Sequence, residues 1–267
     1  LIKSFLDLAI NMEYSESFLK HKSFMRLLTL VAQEILKDGK EMPIVTLLVF
    51  QDKIISLKYN KTNEDKNGIH HGEYLSFKDL PDGFLEKHKK DITLYVNVEP
   101  CIMCDGMIKL VGLKNVVFSC ENERFGSSLL PESVKNTNKL AMIPFIYRKE
   151  AIVTLRQFYL QENKNAPKTR RKEGRSLDIE TFPSIKWSSY FKDFDNFYRT
   201  IFDTKNMDRL LAEKIYNNNS DLETLDSTLI HPVNEPLVPG IIDDIKAFWE
   251  DWREPKRNKI SPNSNSL

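Results

Sequence analysis

Apolar residues along this chain change their spacing several times, and each change marks an element. Met25, Leu27, Leu28, Leu30, Val31, Ile35 and Leu36 recur at helical spacing, which predicts a helix from Ser23 with Gly39 just past its end. Ile44 to Phe50 is an almost unbroken apolar run, the pattern of a buried strand, with Thr46 inside it. Gln51-Asp52 then reads as a tight turn and Lys53 to Tyr59 as the second strand of a hairpin. Asn60 to Asn67 is polar and turn-rich. A second helix is predicted over Glu73 to Phe77, ended by Pro81-Asp82-Gly83, and residues 84–91 read as a solvated helix or loop. Ile92 to Val98 is the third strand, Cys101 to Gly112 the third helix, and Asn115 to Cys120 the fourth strand. Arg148 to Gln161 reads as a further helix, with Ile152, Leu155, Phe158 and Tyr159 forming a stripe for the core or for a subunit contact. Alternation of this kind predicts an α/β domain in three layers, α/β/α, around a mixed sheet.

The flanks differ in character. Residues 1–21 form an N-terminal extension, in which Phe5, Leu8, Ala9 and Met12 suggest an extra short helix covering a surface. The chain opens on Leu1 without a methionine, so its start is expected to be missing or processed; Leu1 to Met12 carries Lys3 and Asp7 and does not read as a signal peptide. Residues 22–162 hold the alternating elements, and 163–267 form a basic and aromatic C-terminal extension, helical or irregular. In it Lys164, Lys168, Arg170, Arg171, Lys172 and Arg175 make a basic run, Thr181 to Phe202 is rich in aromatic residues that should pack against something, and a Pro-containing link lies near Pro232 to Pro239. The last residues, from Lys256, read as a basic disordered tail.

Composition narrows the classes. Of 267 residues, 41% are hydrophobic, enough for a core, and 39 basic against 38 acidic side chains leave no overall field for nucleic acid, so any RNA contact must be local. Three cysteines argue against a disulfide scaffold and for a reducing, intracellular setting. The apolar runs are too short for a membrane span.

The chemistry concentrates at His71-Gly72-Glu73 and Pro100-Cys101-Ile102-Met103-Cys104. His-x-Glu followed downstream by Pro-Cys-x-x-Cys is the signature of the zinc nucleobase deaminases. One imidazole and two thiolates give zinc three ligands and leave the fourth position to water, whose pKa falls to about 7. Glu73, two residues from its ligand, is near enough to take the water's proton and pass it to the base and its leaving amine. Gly72 is small enough to let a flat base lie against the backbone. A structural zinc would want a fourth protein ligand, and Cys120, following a strand, reads as a core thiol. The spacing selects His71 over His70, which reads as a surface or RNA-facing residue.

Thr93-Leu94-Tyr95-Val96-Asn97-Val98-Glu99-Pro100-Cys101-Ile102-Met103-Cys104, Val116-Val117-Phe118 and Asn122-Glu123-Arg124-Phe125-Gly126 together resemble the tRNA-specific adenosine deaminases. Within them the chain resembles the catalytic subunit of the eukaryotic enzyme that converts the wobble adenosine of tRNA anticodons to inosine. Arg148 to Ile152, Phe158-Tyr159 and Asn165 to Lys168 are similar to its fungal form. The resemblance implies a cytidine deaminase-like fold around a mixed five-stranded sheet, with the fifth strand within Leu140 to Ile146. It implies a catalytic Zn2+ on His71, Cys101 and Cys104, with hydroxide attacking C6 of adenosine and Glu73 shuttling the protons. It also implies tRNA as substrate, a heterodimer with a catalytically inactive deaminase-like subunit, and a place in the nucleus or cytoplasm. Asn60 stands where the family has a substrate-contacting asparagine; as a residue it reads equally as a turn asparagine. Lys168, Arg170, Arg171 and Lys172 read equally as a solvated face and as phosphate contacts.

The chain departs from the family at several points. Gly72 replaces an alanine, Val45-Thr46 a Gly-Ala or similar small pair, Asn97 a threonine, Asp105 a small residue after the second cysteine, and Ser127 a glycine. Val45-Thr46 is expected to crowd the pocket floor, and Asp105 to repel thiolate charge. Two other functions stay open at this point: a non-catalytic, zinc-stabilised tRNA-binding subunit, and a deaminase of free cytosine or cytidine nucleotides.

Overall fold

The computed structural model describes residues 15–131, 140–166, 174, 176–185, 190 and 237–253 of the chain. Helix α1 (Glu16–Asp38) leads into strands β1 (Val45–Phe50) and β2 (Lys53–Tyr59). Helices α2 (Gly72–Lys78) and α3 (Phe84–His88), strand β3 (Ile92–Val98), helix α4 (Ile102–Val111) and strand β4 (Asn115–Cys120) follow. After a 3-10 turn at Ser127–Leu129 come β5 (Ala141–Ile143), α5 (Arg148–Leu160) and α6 (Leu237–Arg253). The sheet order is β2-β1-β3-β4-β5: β1 runs antiparallel to both neighbours, and β3, β4 and β5 are parallel. This is the mixed five-stranded sheet of the cytidine deaminase-like α/β fold.

Burial explains the patterning. All six positions of β1 are buried because helices cover both of its faces, so no apolar-polar alternation is needed. The edge strand β2 starts exposed, and β5 is only three residues long. Helices α1 and α5 pack together over β1, β3 and β4, while α2 lies on β1 and β2 and meets α4. The hairpin between β1 and β2 turns on Gln51 and Asp52, both at positive φ (50° and 59°), as a two-residue loop matching strand twist requires.

Several expectations need adjusting. Helix α1 begins at Glu16, well before Ser23, because the Ser15 hydroxyl accepts the Phe18 N–H (3.1 Å) and caps it; Gly39, at φ 66°, ends it as expected. In the charged stretch after Gly83, Phe84 is fully buried, in edge contact with Phe50 and Trp249, Leu85 and His88 are half-buried, and Glu86 and Lys87 face water. On α5 the buried line runs through Ala151, Thr154 and Phe158, whereas Tyr159 is 51% exposed. The proline-containing link gives way to helix at Leu237, with Pro239 in the first turn, where a missing N–H costs nothing. Trp249 of α6 donates its Nε1–H to Ile55 O (3.0 Å), beside the β-bulge between Leu48 and Val49 that takes Ile55 out of the ladder. Among the described residues no helix is long and apolar enough to cross a membrane. Residues 1–14 and the chain beyond 253 lie outside the described residues.

His21 ties α1 to the sheet through Nδ1 and the Tyr95 hydroxyl (2.8 Å), and burial holds its pKa down at about 4. Below its ordinary pKa of about 6.5 the unfolded chain binds this proton and the folded chain does not. Stability is therefore expected to rise as pH climbs from about 4 to about 6.5, and to lose much of that slope in His21→Gln, read by denaturant midpoints across the window.

Candidate metal centre

The site is built at two helix starts. His71 is the N-cap of α2 and Cys101 the N-cap of α4; strand β3 ends at Val98, three residues before the first cysteine, and delivers it at the carboxyl edge of the sheet. Cys104 lies on the first turn of α4, buried. His71 Nδ1 is 3.6 Å from Cys101 Sγ and 3.6 Å from Cys104 Sγ, and the three ligand atoms lie within 4.8 Å of one another. A tetrahedral zinc with Zn–S of about 2.3 Å and Zn–N of about 2.0 Å separates its sulfur and nitrogen ligands by about 3.5 Å. Both nitrogen–sulfur separations match that ion.

Electrostatics favour a thiolate here. The Cys101 thiol is lowered to about 4, first by the hydrogen bond from the Cys104 thiol, then by His71 and the Cys104 N–H, against the opposing effect of burial. Cys104 is pushed up by its hydrogen bond to Cys101 and by burial, so Cys101 gives up the first proton of the pair. His71 is raised, chiefly by its hydrogen bond to Cys101.

Glu73, on the first turn of α2, is buried, and its Oε2 has no hydrogen-bond partner among the described residues. Burial raises its pKa, opposed by His71. An orphaned carboxylate oxygen beside the ligand cluster suits a group that takes and returns a proton. Asn60 is also buried, and its Oδ1 accepts the Gly72 N–H (2.9 Å), which fixes the backbone between ligand and glutamate. His70 pairs with Asp65 (2.7 Å) and stacks on Tyr74, away from the ligand set. Lys168, Arg170, Arg171 and Lys172 lie outside the described residues.

The departures resolve individually. Asp105 is paired with Lys109 (2.7 Å) one turn on, and both are buried, so its charge is met on its own helix. Asn97 bridges strands: its Oδ1 accepts Val45 N–H (2.9 Å) and its Nδ2 donates to Pro43 O (2.7 Å). Ser127 donates to Glu99.

Glu99 is what the sequence reading missed. Its carboxylate, in a side chain 1% exposed, accepts hydrogen bonds from Asn122 N–H, Ser127 Oγ, Ser128 N–H and Oγ, and Tyr190 Oη. Gly126 packs so close that a Cβ there would sit 2.5 Å from Glu99 Oε2. The loop so held returns to the ligand: Cys101 bridges Gly126, and Ile102 N–H donates to Phe125 O. Tyr190 belongs to the aromatic stretch expected to pack, and it does, against Phe118 and Phe145. The signal in the sequence was the pairing of a carboxylate before Pro100 with the Ser127-Ser128 donors, which no local pattern connects.

The cytidine and deoxycytidylate deaminase zinc-binding region matches residues 19–120. This places the chain in the class of zinc-binding deaminases. Over 167 residues it is 35% identical to tRNA-specific adenosine deaminase 2 of Xenopus tropicalis, spanning 57% of this chain and 95% of that protein. Against its namesake from Danio rerio the identity is 37% over 156 residues, 52% of this chain and 71% of that one. The tRNA-specific adenosine deaminase subunit tad2 of Schizosaccharomyces pombe is 30% identical over 174 residues, and there the chain spans 45% of its relative's length. The chain belongs to the tRNA-specific adenosine deaminase 2 family.

Glu99→Gln is expected to weaken at least two of these charge-assisted bonds and to destabilise the fold by about 2 kcal/mol. Tyr190→Phe, losing one donor, is expected to cost about 1 kcal/mol. Unfolding midpoints rank the two; an unchanged midpoint in Glu99→Gln would remove its role as the anchor of the loop.

Proposed function

We propose that this chain is the catalytic subunit of an enzyme that hydrolyses the wobble adenosine of tRNA to inosine. The observation that carries this is the convergence of His71, Cys101 and Cys104 beside an unpartnered buried Glu73. His71, Cys101 and Cys104 would hold Zn2+, which supplies Lewis acidity and brings the pKa of a water down to about 7. Burial raises the pKa of Glu73; as the carboxylate it would take a proton from the attacking water and give it to the ring nitrogen, then pass the proton of the new C6 hydroxyl to the amine, which leaves as ammonia. Asn60 holds Gly72 by its Oδ1, so the backbone beside the ligand stays flat enough for a base to lie on it. Its Nδ2, with no hydrogen bond to a described residue, is the donor offered to the nucleoside. A duplex or stacked loop hides C6, so the adenosine must be turned out of its stack to reach the site.

A second subunit is part of the proposal. Ile102, Met103 and Leu110 (88% exposed) share the outer side of α4, with exposed Phe125 and Leu129 beside them. A catalytically inactive deaminase-like partner would cover this apolar face, in keeping with the name of the fission yeast relative, a subunit. The free state of all three cysteines supports a reducing compartment, cytoplasm or nucleus. Lys168, Arg170, Arg171 and Lys172 supply phosphate contacts to the tRNA.

The test is inosine formation in an adenosine-wobble tRNA by the full chain co-expressed with its candidate partner, with zinc quantified. Glu73→Gln is expected to lose essentially all turnover while keeping zinc, and Cys101→Ala to lose zinc and stability together. Bound zinc without inosine would favour a non-catalytic tRNA-binding subunit; turnover of free cytidine nucleotides in place of tRNA would favour a nucleotide deaminase. Reversing the charges at Lys168, Arg170, Arg171 and Lys172 is expected to weaken tRNA binding. It should also flatten the salt dependence by roughly one log-log unit for each phosphate that the run neutralises. Equal affinity and slope would leave the run a solvated face.

A further inference from the structure

Thr46 and Gly72 meet at the floor of the site. Thr46 is the second residue of β1, paired with Lys58 of β2 on one side and Val96 of β3 on the other. It is fully buried, and its Oγ1 has no hydrogen-bond partner among the described residues. The Asn97 clamp on Pro43 O and Val45 N–H holds the chain immediately before it. Opposite lies Gly72, the first residue of α2, with His71 on one side and Glu73 on the other. Its N–H is held by Asn60 Oδ1 and its carbonyl accepts the Ser76 hydroxyl (2.8 Å).

A Cβ on Gly72 would lie 2.7 Å from Thr46 Oγ1, 3.3 Å from Thr46 Cβ and 3.4 Å from Lys58 O. Neither side has room to yield. Thr46 is short, branched at Cβ and stiff, so no rotamer withdraws all of it, and its backbone is bonded to strands on both sides. Gly72 is not in the left-handed region, so its backbone accepts any L residue. The restriction at position 72 is therefore steric, and its source is Thr46.

We infer that Thr46 is a positioning residue of the catalytic segment. Its side chain fills the space that a methyl at residue 72 would take, and it sets how deeply Gly72 seats against the sheet. The depth of Gly72 in turn sets where the His71 imidazole and the Glu73 carboxylate stand. Gly72, Thr46 and the Asn97 clamp thus act as one packing unit, and a change at one requires a change at another.

The kinetic part of the test rests on the deaminase reading; the stability part does not. Wild type, Gly72→Ala, Thr46→Ala and the double variant are prepared as the full chain with its partner. Thermal midpoint, zinc retained against a chelator, and kcat and KM on tRNA are measured for each. Gly72→Ala alone is expected to lower the midpoint, speed zinc loss and cut kcat by on the order of 10²-fold, with KM little changed, because a displacement near 1 Å at reacting groups has that effect. In the Thr46→Ala background the same substitution is expected to leave the midpoint equal or higher and to cost no further kcat. Should Gly72→Ala fail to fold, the double variant folding as well as Thr46→Ala supports the inference. A double variant no better than Gly72→Ala, or Gly72→Ala indistinguishable from wild type, overturns it. Thr46→Val keeps the shape without the hydroxyl and is expected to retain kcat; a large loss there would assign the hydroxyl to substrate and overturn the steric account. A wild type that makes no inosine while the midpoints follow the expected pattern would sink the deaminase reading and leave the steric coupling standing.

Discussion

A carboxylate almost out of contact with water, two residues before the first cysteine of the candidate metal centre, is the constraint around which the site is assembled. Glu99 carries a charge that burial penalises unless every lone pair is met. Five donors meet it, drawn from the loop after β4 and from Tyr190 far along the chain. Satisfying that charge folds the loop back on Cys101 and pins the start of α4. The thiols are then presented at a helix N-terminus, where backbone N–H groups favour the thiolate form. The placing of Cys101 beside His71 and Cys104 thus depends on a hydrogen-bond requirement one step removed from the cluster itself.

The same economy appears on the opposite wall. The α2 segment carries His71 and Glu73 on either side of a residue whose backbone is held by Asn60 and whose missing side chain leaves room for Thr46. The strand beneath is held in turn by Asn97. Residues that look like separate departures from the family along the chain are neighbours in space, and their sizes compensate: a larger residue in the strand faces a smaller one in the helix. Asp105 follows a similar rule, its charge answered by Lys109 one turn away.

Much of the fold was legible before any coordinates. The bounds of β2, β3 and β4 match those predicted from short segments rich in apolar and β-branched residues between turn residues, because strand burial imposes a short-range pattern that a linear reading detects. Where the reading slipped, the cause was a partner distant in sequence or a cap of one residue. Ser15 extends α1, and Trp249 reaches back to shelter Phe84 and take the Ile55 carbonyl. The buried line of α5 was shifted by the surface it meets, since periodicity gives a stripe but not the angle at which the sheet receives it.

The sequence by itself determined the ligand types, their spacing and the glutamate two residues from the histidine, because that chemistry depends on residue identity and on which residues begin helices. Tertiary structure alone decided that His71 Nδ1 faces both sulfurs at one distance, that Glu99 anchors the loop after β4, and that a side chain at Gly72 would meet Thr46. Hydrogen-bond satisfaction and close packing act between atoms that adjoin only after the chain has folded, and no pattern along the chain encodes a contact between one strand and a helix start beyond it.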